Sequence, residues 1–255
     1  MKKVLSIAGS DPSGGAGIQM DIKTFQALGA FGMTIPAALT AQNSKGVTDT
    51  CPVSPEFFNR QLETLLTDIK PDAVKTGMLL HQSIVESIAK AVRSYRIKNL
   101  IIDPVITSSS GKMLLQPSAV KVLKQRLFPL ALVITPNIPE AEALTGMSIK
   151  TEQDMDFAAG KLLDMGPSYV LIKGGHKKGS PTDTLYGGKT VLSFSTTRKK
   201  GEFHGTGCVL SAAISVFITR GFPVEKAVEK AKQFVDNLLK KAKPVGKGRT
   251  KYFQF

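Results

Sequence analysis

Short β-branched runs alternate with amphipathic stretches along nearly the whole chain, and this alternation constrains the fold more than any other feature. The pattern is typical of a mostly parallel sheet with helices packed against it. Strand-like runs lie at Lys3–Ala8, Gly32–Ala38, Ala73–Thr76, Asn99–Asp103, Ala131–Thr135 and Tyr169–Lys173. Helical periodicity covers Gly15–Leu28, Pro55–Asp68, Ser83–Tyr95, Pro117–Phe128, Ile138–Thr145, Thr151–Met165, Gly205–Arg220 and Pro223–Lys241. The sequence therefore predicts an α/β protein.

The later part of the chain adds a hairpin and a basic tail to this pattern. Asp183–Phe194 has Gly187-Gly188 between two apolar runs, which predicts an antiparallel hairpin. We find no internal repeat and no linker-like segment, so we predict one domain over residues 1–255. The tail Lys243–Phe255 is basic and contains Gly and Pro. We expect it either to be mobile or to pack its closing aromatic residues on a neighbour.

The chain is strongly basic, with a formal net charge of +14 over 255 residues. The charge is spread out, with its main excess at Lys177-Lys178, at Arg198-Lys199-Lys200 and between Lys240 and Lys251. Aromatic residues are not interleaved with these clusters as a base-stacking surface requires, so we do not expect nucleic-acid binding. The net field would still attract a polyanion such as ATP.

Membrane and secretory features are weak in this sequence. The apolar run at the N-terminus is too short for a secretion signal, and no apolar stretch is long enough to span a bilayer. Cys51 and Cys208 are the two cysteines, too few for a disulfide framework or a cysteine-based zinc site. We therefore predict a cytoplasmic protein without a membrane partner.

Polar residues follow most of the predicted strands. Because ligands bind at the carboxyl ends of the strands in such sheets, these segments form the candidate site. They are Gly9-Ser10-Asp11, Gln42-Asn43, Thr76-Gly77-Met78, Asp103-Pro104, Thr135-Pro136-Asn137, Lys173-Gly174-Gly175 and His204-Gly205-Thr206-Gly207.

The turn Gly205-Thr206-Gly207-Cys208 stands directly before an apolar helical run. Glycines let a ligand approach the backbone N–H groups, and the helix adds free donors and the positive end of its dipole. The turn can therefore form an anion hole for a transferred phosphoryl group. It lacks the Gly-Lys-Ser/Thr of a P-loop. The alternative is a glycine-containing loop that merely begins a helix.

Cys208 lies at the start of that helix, where we expect its thiolate to be stabilised and its pKa lowered. It could then accept a proton from a substrate hydroxyl. The alternative is a small buried apolar side chain, the commoner fate of a free cysteine. His204 is close in sequence but lies across a tight turn, so we do not assume a Cys–His pair.

The segment from Gly9 to Gly17 is a glycine-rich loop between the first strand and the first helix. Its spacing does not fit the Gly-x-Gly-x-x-Gly pattern, which excludes a Rossmann dehydrogenase. Asp21, one turn into the helix, could reach back to hydrogen-bond a ring nitrogen or an amino group. A solvated helix carboxylate is the alternative.

Acidic and basic residues at three strand ends suit a metal–phosphate site. Asp103 follows an apolar strand, and Asn137 and Glu140 stand three apart at the start of a helix. Together they could orient Mg²⁺ through waters, because this ion keeps several waters and takes few carboxylates. Helix capping by Asn137 and a first-turn charge for Glu140 are the alternatives. Lys173 could bind ATP phosphates or be a solvated lysine.

Taken in order, seven motifs resemble the hydroxymethylpyrimidine/phosphomethylpyrimidine kinases of thiamine biosynthesis, in the ribokinase-like superfamily. They are Ala8–Asp21, Leu39–Val47, Lys75–Leu79, Asp103–Val105, Thr135–Ala141, Lys173–His176 and His204–Cys208, within a match from about Val4 to Leu239. The resemblance implies a three-layer fold with a mostly parallel central sheet and no large lid domain. It also implies Mg²⁺ and ATP as cofactors and a homodimer.

The resemblance also implies roles for particular residues. It implies that Asp21 and Gln42 hold the aminopyrimidine in a pocket lined by Gly9, Met78 and Val105, that Asp103 and Glu140 organise the metal, and that Lys173, Asn137, Gly205, Thr206 and Gly207 handle the phosphates. Most ribokinase-like enzymes have an aspartate where this chain has Cys208, and the pyrimidine kinases are similar to it in having cysteine. That similarity favours Cys208 as the base, or as a group that positions the substrate.

Two segments depart from the family pattern, and two other functions stay open. Ile106–Lys112 is more serine-rich than usual, and Pro244–Arg249 only partly resembles the family's ending. The kinases of this family phosphorylate the hydroxymethyl group and then the resulting monophosphate. A pyridoxal kinase of the same superfamily is the first alternative. Gln42 argues against it, because an amide both donates and accepts towards an aminopyrimidine edge. A catalytically silent pyrimidine-binding protein is the second alternative.

Overall fold

The computed structural model describes residues 1–108, 111–174, 181–188 and 190–255. The lysine pair at 177 and 178, the motif residues Gly175 and His176, and two serines of the segment 106–112 lie outside these ranges. None of the described helices is both long and apolar enough to cross a membrane.

A nine-stranded sheet, with strand order β3-β2-β1-β4-β5-β6-β7-β8-β9, forms the middle of the molecule. The strands are β1 (Lys3–Ser10), β2 (Phe31–Asn43), β3 (Gly46–Pro52), β4 (Ala73–Thr76), β5 (Leu100–Ile102), β6 (Val133–Ile134), β7 (Tyr169–Ile172), β8 (Thr182–Gly187) and β9 (Thr190–Ser195). Neighbouring strands from β2 to β7 are parallel, while β3, β8 and β9 pair antiparallel with their neighbours.

Helices cover both faces of this sheet and give three layers. They are α1 (Gly17–Ala27), α2 (Pro55–Asp68), α3 (Gln82–Ser94), α4 (Pro117–Val122), α5 (Ile138–Thr145), α6 (Glu152–Leu163), α7 (Thr206–Thr219) and α8 (Val224–Lys241). Alternation along β1 shows how the layers form: Leu5 and Ile7 join the core under α2 to α6, whereas Val4 joins the core under α1, α7 and α8. Every described helix contributes to one of these two cores, so the described chain contains no separate lid domain.

Helix α7 is buried on all sides, which fixes the position of the turn before it. Its residues from Val209 to Thr219 are buried, as expected for a helix that is apolar all round. It packs against β1, β4 and β5 on one side and against α1 and α8 on the other. The N-terminus of α7 therefore lies at the carboxyl ends of the central strands.

The elements of the large sheet and the helices around it agree with the predicted ones, apart from small shifts at their ends, except in two places. The strand β3 was missed; it pairs with an extension of β2 and is largely exposed. The predicted helix Pro117–Phe128 is α-helical only to Val122 and continues as a π-helical turn and a 3₁₀ turn. The predicted antiparallel hairpin is present as β8 and β9.

The basic tail is folded onto its own chain. Two short strands, β10 (Lys243–Pro244) and β11 (Lys251–Tyr252), pair antiparallel. Tyr252 and Phe253 are buried, and the Phe253 ring stacks on Phe203 with 6.5 Å between ring centroids. The closing aromatic residues thus contact the segment that leads into α7.

Candidate active site

The turn before α7 meets the glycine-rich loop at the carboxyl edge of the sheet. Gly205 has a φ of 77°, a left-handed conformation that favours glycine, and a side chain there would collide with the carbonyl oxygen of Gly15. A methyl group added at Gly207 would lie 3.2 Å from Lys173 Nζ and 3.3 Å from Asp103 Oδ2. The structure thus brings the anion-hole turn, the lysine and the aspartate together, as the sequence predicts.

Lys173 and Asp103 form the ion pair below this turn. Lys173 Nζ donates to Asp103 Oδ1 over 2.7 Å, and Thr135 donates to the same oxygen over 3.1 Å. Burial would raise the pKa of Asp103, but the cations of Lys173 and Lys75 outweigh it and hold that pKa below its ordinary value. Burial alone would lower the pKa of Lys173, but Asp103 and Glu140 raise it above its ordinary value. Both groups are therefore charged.

Asn137 and Glu140 form a capping box at the start of α5. Each side chain accepts a hydrogen bond from the other residue's backbone N–H, both over 2.8 Å. Burial raises the pKa of Glu140 to about 7, although Lys173 Nζ lies 3.9 Å from its carboxylate. The capping role weighed from the sequence is therefore present, and Glu140 still borders the Lys173–Asp103 pair.

The described residues contain no group of three or more His, Cys, Asp or Glu side chains spaced to hold a metal ion. Mg²⁺ needs only one or two protein carboxylates, because it keeps several waters. Both described hydrogen bonds of the Asp103 carboxylate go to Oδ1, and Oδ2 is the carboxylate oxygen nearer to Gly207. The donor set of Asp103 and Glu140 therefore fits a hydrated Mg²⁺.

Cys208 does not have the lowered pKa that its helix position predicted. Burial raises the pKa of its thiol to about 11, and the nearby Lys75 cation only partly opposes this effect. Cys208 packs against the apolar core under α1, α7 and α8. The prediction was wrong because desolvation outweighs the helix end, and the thiol is protonated at neutral pH.

Asp21 lies in a fully buried ion pair behind the site. Lys75 Nζ donates to both carboxylate oxygens of Asp21 over 2.8 and 3.0 Å, and both side chains have 0% exposure. Ser6 donates to the same carboxylate. Burial alone would lower the pKa of Lys75, but Asp21, Cys208 and Asp103 raise it above its ordinary value. The alternative of a solvated helix carboxylate is wrong for Asp21.

Three of the predicted pocket residues lie on one apolar wall. A methyl group added at Gly9 would lie 2.9 Å from Met78 Sδ, so these two residues are in close contact. Met78 packs with Leu80, Leu114 and Val105. The structure therefore brings Gly9, Met78 and Val105 together.

Gln42 is held by a residue outside the predicted set. A terminal atom of its amide lies 2.8 Å from His204 Nε2, and that nitrogen lies 3.0 Å from Asp11 Oδ2. Burial would raise the pKa of Asp11, but hydrogen bonds from His204 and Ser13 hold it below its ordinary value. Gln42 is therefore tied to the loop after β1 and to the turn before α7.

Comparison with known proteins shows the family. The family described as phosphomethylpyrimidine kinase matches residues 11–252. The chain belongs to this family. It is 41% identical to hydroxymethylpyrimidine/phosphomethylpyrimidine kinase of Bacillus subtilis, over 99% of this chain and 95% of that protein. The match to the Geobacter sulfurreducens thiamine biosynthesis bifunctional protein has 43% identity over 96% of this chain, which spans 50% of that protein's length.

Solved structures agree with this membership. Phosphomethylpyrimidine kinase of Clostridium difficile has a TM-score of 0.83 at 40% identity, covering 93% of this chain and 99% of that one. An ADP complex of Bacillus subtilis pyridoxal kinase has a TM-score of 0.91 at 38% identity, covering 100% of this chain and 97% of that one. The resemblance inferred from the motifs, the ribokinase-like fold and the phosphotransferase class are thereby confirmed.

Sequence reasoning about this phosphomethylpyrimidine kinase family member placed Lys75, His204 and Asp11 within its motif segments but gave them no role in the site. Lys75 had a usable signal, because a lysine in the otherwise apolar run Ala73–Thr76 needs a buried acidic partner. His204 was not assumed to pair with Cys208, because it lies across a tight turn, and its contacts run instead to Gln42 and Asp11. Those contacts join residues far apart in the chain, so local pattern gave no signal.

Proposed function

We propose that this chain transfers the γ-phosphoryl group of ATP to the hydroxymethyl group of 4-amino-5-hydroxymethyl-2-methylpyrimidine, and then a second phosphoryl group to the monophosphate. The carrying observation is the Lys173–Asp103 pair directly below Gly207 of the turn. A fixed cation and free backbone N–H groups there would stabilise charge on a phosphoryl group in transfer. Membership of the phosphomethylpyrimidine kinase family supports the acceptor.

On the ATP side, Lys173, Asn137 and the turn from Gly205 to Gly207 would bind phosphates. Support comes from pyridoxal kinase of Staphylococcus aureus, 33% identical, whose structures hold AMP-PCP and ADP. Asp103 and Glu140 would hold hydrated Mg²⁺, which supplies positive charge to the phosphate oxygens when bound. Lys173 would exchange part of its contact with Asp103 for a phosphate oxygen.

On the acceptor side, Gln42 would bind the aminopyrimidine over the wall of Gly9, Met78 and Val105, and Asp21 would support this site. Asp21 would act from behind this wall, since its carboxylate is engaged by Lys75 and Ser6. Cys208 would take the proton of the attacking hydroxyl in the minor fraction of molecules that hold it as a thiolate. The Lys75 cation favours the thiolate that this step requires, against the burial that opposes it.

A pyridoxal kinase is the second candidate, because pyridoxal kinases are among the similar solved structures, with TM-scores of 0.91. Purified protein should be given ATP with the hydroxymethylpyrimidine, its monophosphate and pyridoxal in turn, and kcat/KM measured for each. We expect both pyrimidines to exceed pyridoxal. A higher value for pyridoxal would overturn the proposal in favour of this second candidate. Tight binding without turnover of any compound would favour a silent binding protein.

We also propose that the chain acts as one domain in a cytoplasmic homodimer. Such an interface would cover apolar side chains exposed on β2 and α2, where Leu39 is 50% and Phe57 56% exposed. Light scattering coupled to size-exclusion chromatography should give about twice the 27.3 kDa chain mass. A mass near that of one chain would refute the dimer.

A further inference from the structure

Gln42 lies between two polar neighbours that together decide which way its amide faces. The amide position Nε2 lies 2.8 Å from His204 Nε2, and the position Oε1 lies 3.2 Å from Thr40 Oγ1. The two positions exchange when the amide turns over, so their identity is assigned from the hydrogen-bond partners. An amide oxygen only accepts hydrogen bonds and an amide nitrogen only donates them. The hydrogens of the two neighbours therefore determine where the oxygen lies.

The first constraint comes from His204. Its Nε2 also lies 3.0 Å from Asp11 Oδ2, which accepts a further hydrogen bond from the Gly15 N–H over 3.1 Å. Asp11 is ionised and can only accept. His204 Nε2 must therefore carry a hydrogen, which Asp11 and Gln42 share. The Gln42 atom facing it must be the oxygen, because an amide N–H there would point at another donor.

The second constraint comes from Thr40 and is independent of the first. Thr40 Oγ1 donates its single hydrogen to the carbonyl oxygen of Ser10 over 2.9 Å. With that hydrogen directed at Ser10, a second acceptor at 3.2 Å would face the lone pairs of the hydroxyl oxygen, which repel it. The Gln42 atom near Thr40 must therefore be the nitrogen, which donates to the hydroxyl oxygen.

We propose that His204 is a specificity-determining positioning residue: it fixes the Gln42 amide with its oxygen beside His204 and its nitrogen beside Thr40. This inference rests on the proposed function. The amide then offers one free acceptor position on the side of the α7 turn and one free N–H on the side of Thr40.

This orientation of the Gln42 amide determines which edge of a substrate ring can bind and which way round the ring lies. Two adjacent hydrogen bonds to one amide require a ring nitrogen next to an exocyclic amino group, as in a 4-aminopyrimidine. The amino group would pair with the amide oxygen on the His204 side. Its neighbouring 5-hydroxymethyl group would then lie on the side of Gly205, where the phosphoryl group is transferred. Pyridoxal has no ring nitrogen next to a carbon that bears an amino group, so it cannot form this pair.

Two variants on opposite sides of the Gln42 amide test whether its orientation determines the substrate preference. His204→Phe keeps an aromatic ring against Tyr252, whose centroid lies 5.4 Å away, but removes the N–H. Thr40→Val removes the acceptor for the amide nitrogen. Both should lower the ratio of kcat/KM for the hydroxymethylpyrimidine to that for pyridoxal about tenfold, as expected for one hydrogen bond, and leave KM for ATP unchanged.

Conservative and matched controls complete this experiment. His204→Gln retains an N–H donor and should recover most of the ratio. His81→Phe breaks an exposed contact of the same type, 2.9 Å from His81 Nδ1 to Gln116 Oε1, and should leave the ratio within twofold. Folding of every variant is compared by thermal unfolding. If His204→Phe does not fold, Thr40→Val and His204→Gln decide the outcome. A folded His204→Phe or Thr40→Val variant with an unchanged ratio overturns the proposal.

A measurement without substrate separates this inference from the proposed function. Long-range ¹H–¹⁵N spectra of the free protein should show the His204 hydrogen on Nε2. A neutral ring with its hydrogen on Nδ1 alone would overturn the amide orientation, whatever the enzyme phosphorylates. Wild-type protein that phosphorylates neither compound would instead refute the proposed function, and the spectra would still decide the orientation.

Discussion

Two lysine–aspartate pairs flank Cys208, and they differ mainly in their access to solvent. Lys75 and Asp21 lie 2.8 Å apart with 0% exposure of both side chains, whereas Lys173 and Asp103 lie 2.7 Å apart with 15% and 3% exposure. The inner pair, Lys75–Asp21, has Ser6 as an additional donor. The outer pair, Lys173–Asp103, borders the anion-hole turn. Nearly equal distances therefore do not imply equal roles.

The difference teaches which pair can change partners. A fully buried ion pair gains little net stability, but losing one partner leaves an uncompensated charge in the interior. A pair at the edge of a cleft can exchange a carboxylate for a phosphate oxygen, since water and ligand reach its lysine. We therefore assign the inner pair to the support of the site and the outer pair to the reaction.

The largest effect expected is on the inner pair. Lys75→Met should lower the free energy of unfolding by about 3 to 5 kcal/mol, because Asp21 is left buried and unpaired. Urea unfolding followed by circular dichroism measures this, and Lys75→Met with Asp21→Leu should recover most of the loss. Lys199→Met, in a partly exposed pair of 3.7 Å with Asp236, is the control and should change stability by less than about 1 kcal/mol. Equal losses of unfolding free energy in Lys75→Met and Lys199→Met would show that burial does not distinguish the inner pair.

The outer pair should show the opposite balance of activity and stability. Lys173→Met should lower kcat/KM for ATP by about 10²-fold, as removal of one group that stabilises transferred charge does. Its stability loss should be smaller than that of Lys75→Met, since its side chain is 15% exposed. Lys226→Met, from an exposed ion pair on α8, is the control for loss of a lysine charge. Activity within threefold of wild type would remove Lys173 from phosphate binding.

The reactivity of Cys208 provides a further test, because its thiol interacts electrostatically with both Lys75 and Lys173. With a thiol pKa of about 11, iodoacetamide should modify it more than tenfold more slowly at pH 7.5 than the exposed Cys51. Its rate should rise about tenfold per pH unit towards pH 10, since the thiolate reacts. Mass spectrometry of both sites gives the two rates in one sample. Modification of Cys208 first would contradict the raised pKa.

The proton-transfer role has its own test. If the Cys208 thiolate accepts the hydroxyl proton, kcat should rise with pH above neutrality and flatten near the thiol pKa of about 11. Cys208→Ala should lower kcat and abolish this slope while pyrimidine affinity changes little. Near-normal turnover of Cys208→Ala would show that the thiol is not the base.

The smallest effect expected concerns Glu140, at the margin of the outer pair. Its pKa is about 7 in the folded protein against an ordinary 4.5, so the folded state retains the proton longer and loses stability as pH rises through this window. Glu140→Gln keeps the capping acceptor but does not titrate. Its free energy of unfolding relative to wild type should therefore rise by about 1 to 3 kcal/mol from pH 5 to pH 8. Thermal unfolding at both pH values measures this. A constant difference would contradict the raised pKa.

The sequence predicted most elements because local signals mark their ends. Asn137 caps α5 at its start and Gly146, with a φ of 71°, ends it, so the predicted bounds Ile138–Thr145 agree with the structure. The same local signals did not find β3, because its exposed residues lack strand-like alternation and its pairing depends on an extension of β2.

The chemistry of the site was harder to predict than its location. Motif order placed Gly207, Lys173 and Asp103 together correctly. The pKa of Cys208 could not be predicted, because desolvation depends on the packing of α7 among other elements. Lys75 was missed since its partner, Asp21, lies 54 positions away in the chain.

The folded tail has a consequence for the order in which this protein becomes active. Tyr252 donates to Ser13 across 239 positions of sequence, and the carbonyl of Lys251 accepts from the His204 N–H. Contacts between such distant segments form late, because the loop they close is long. During synthesis, the glycine-rich loop leaves the ribosome well before the residues that brace it. The nascent chain can therefore complete its nine-stranded sheet while the glycine-rich loop still lacks the contacts of the tail.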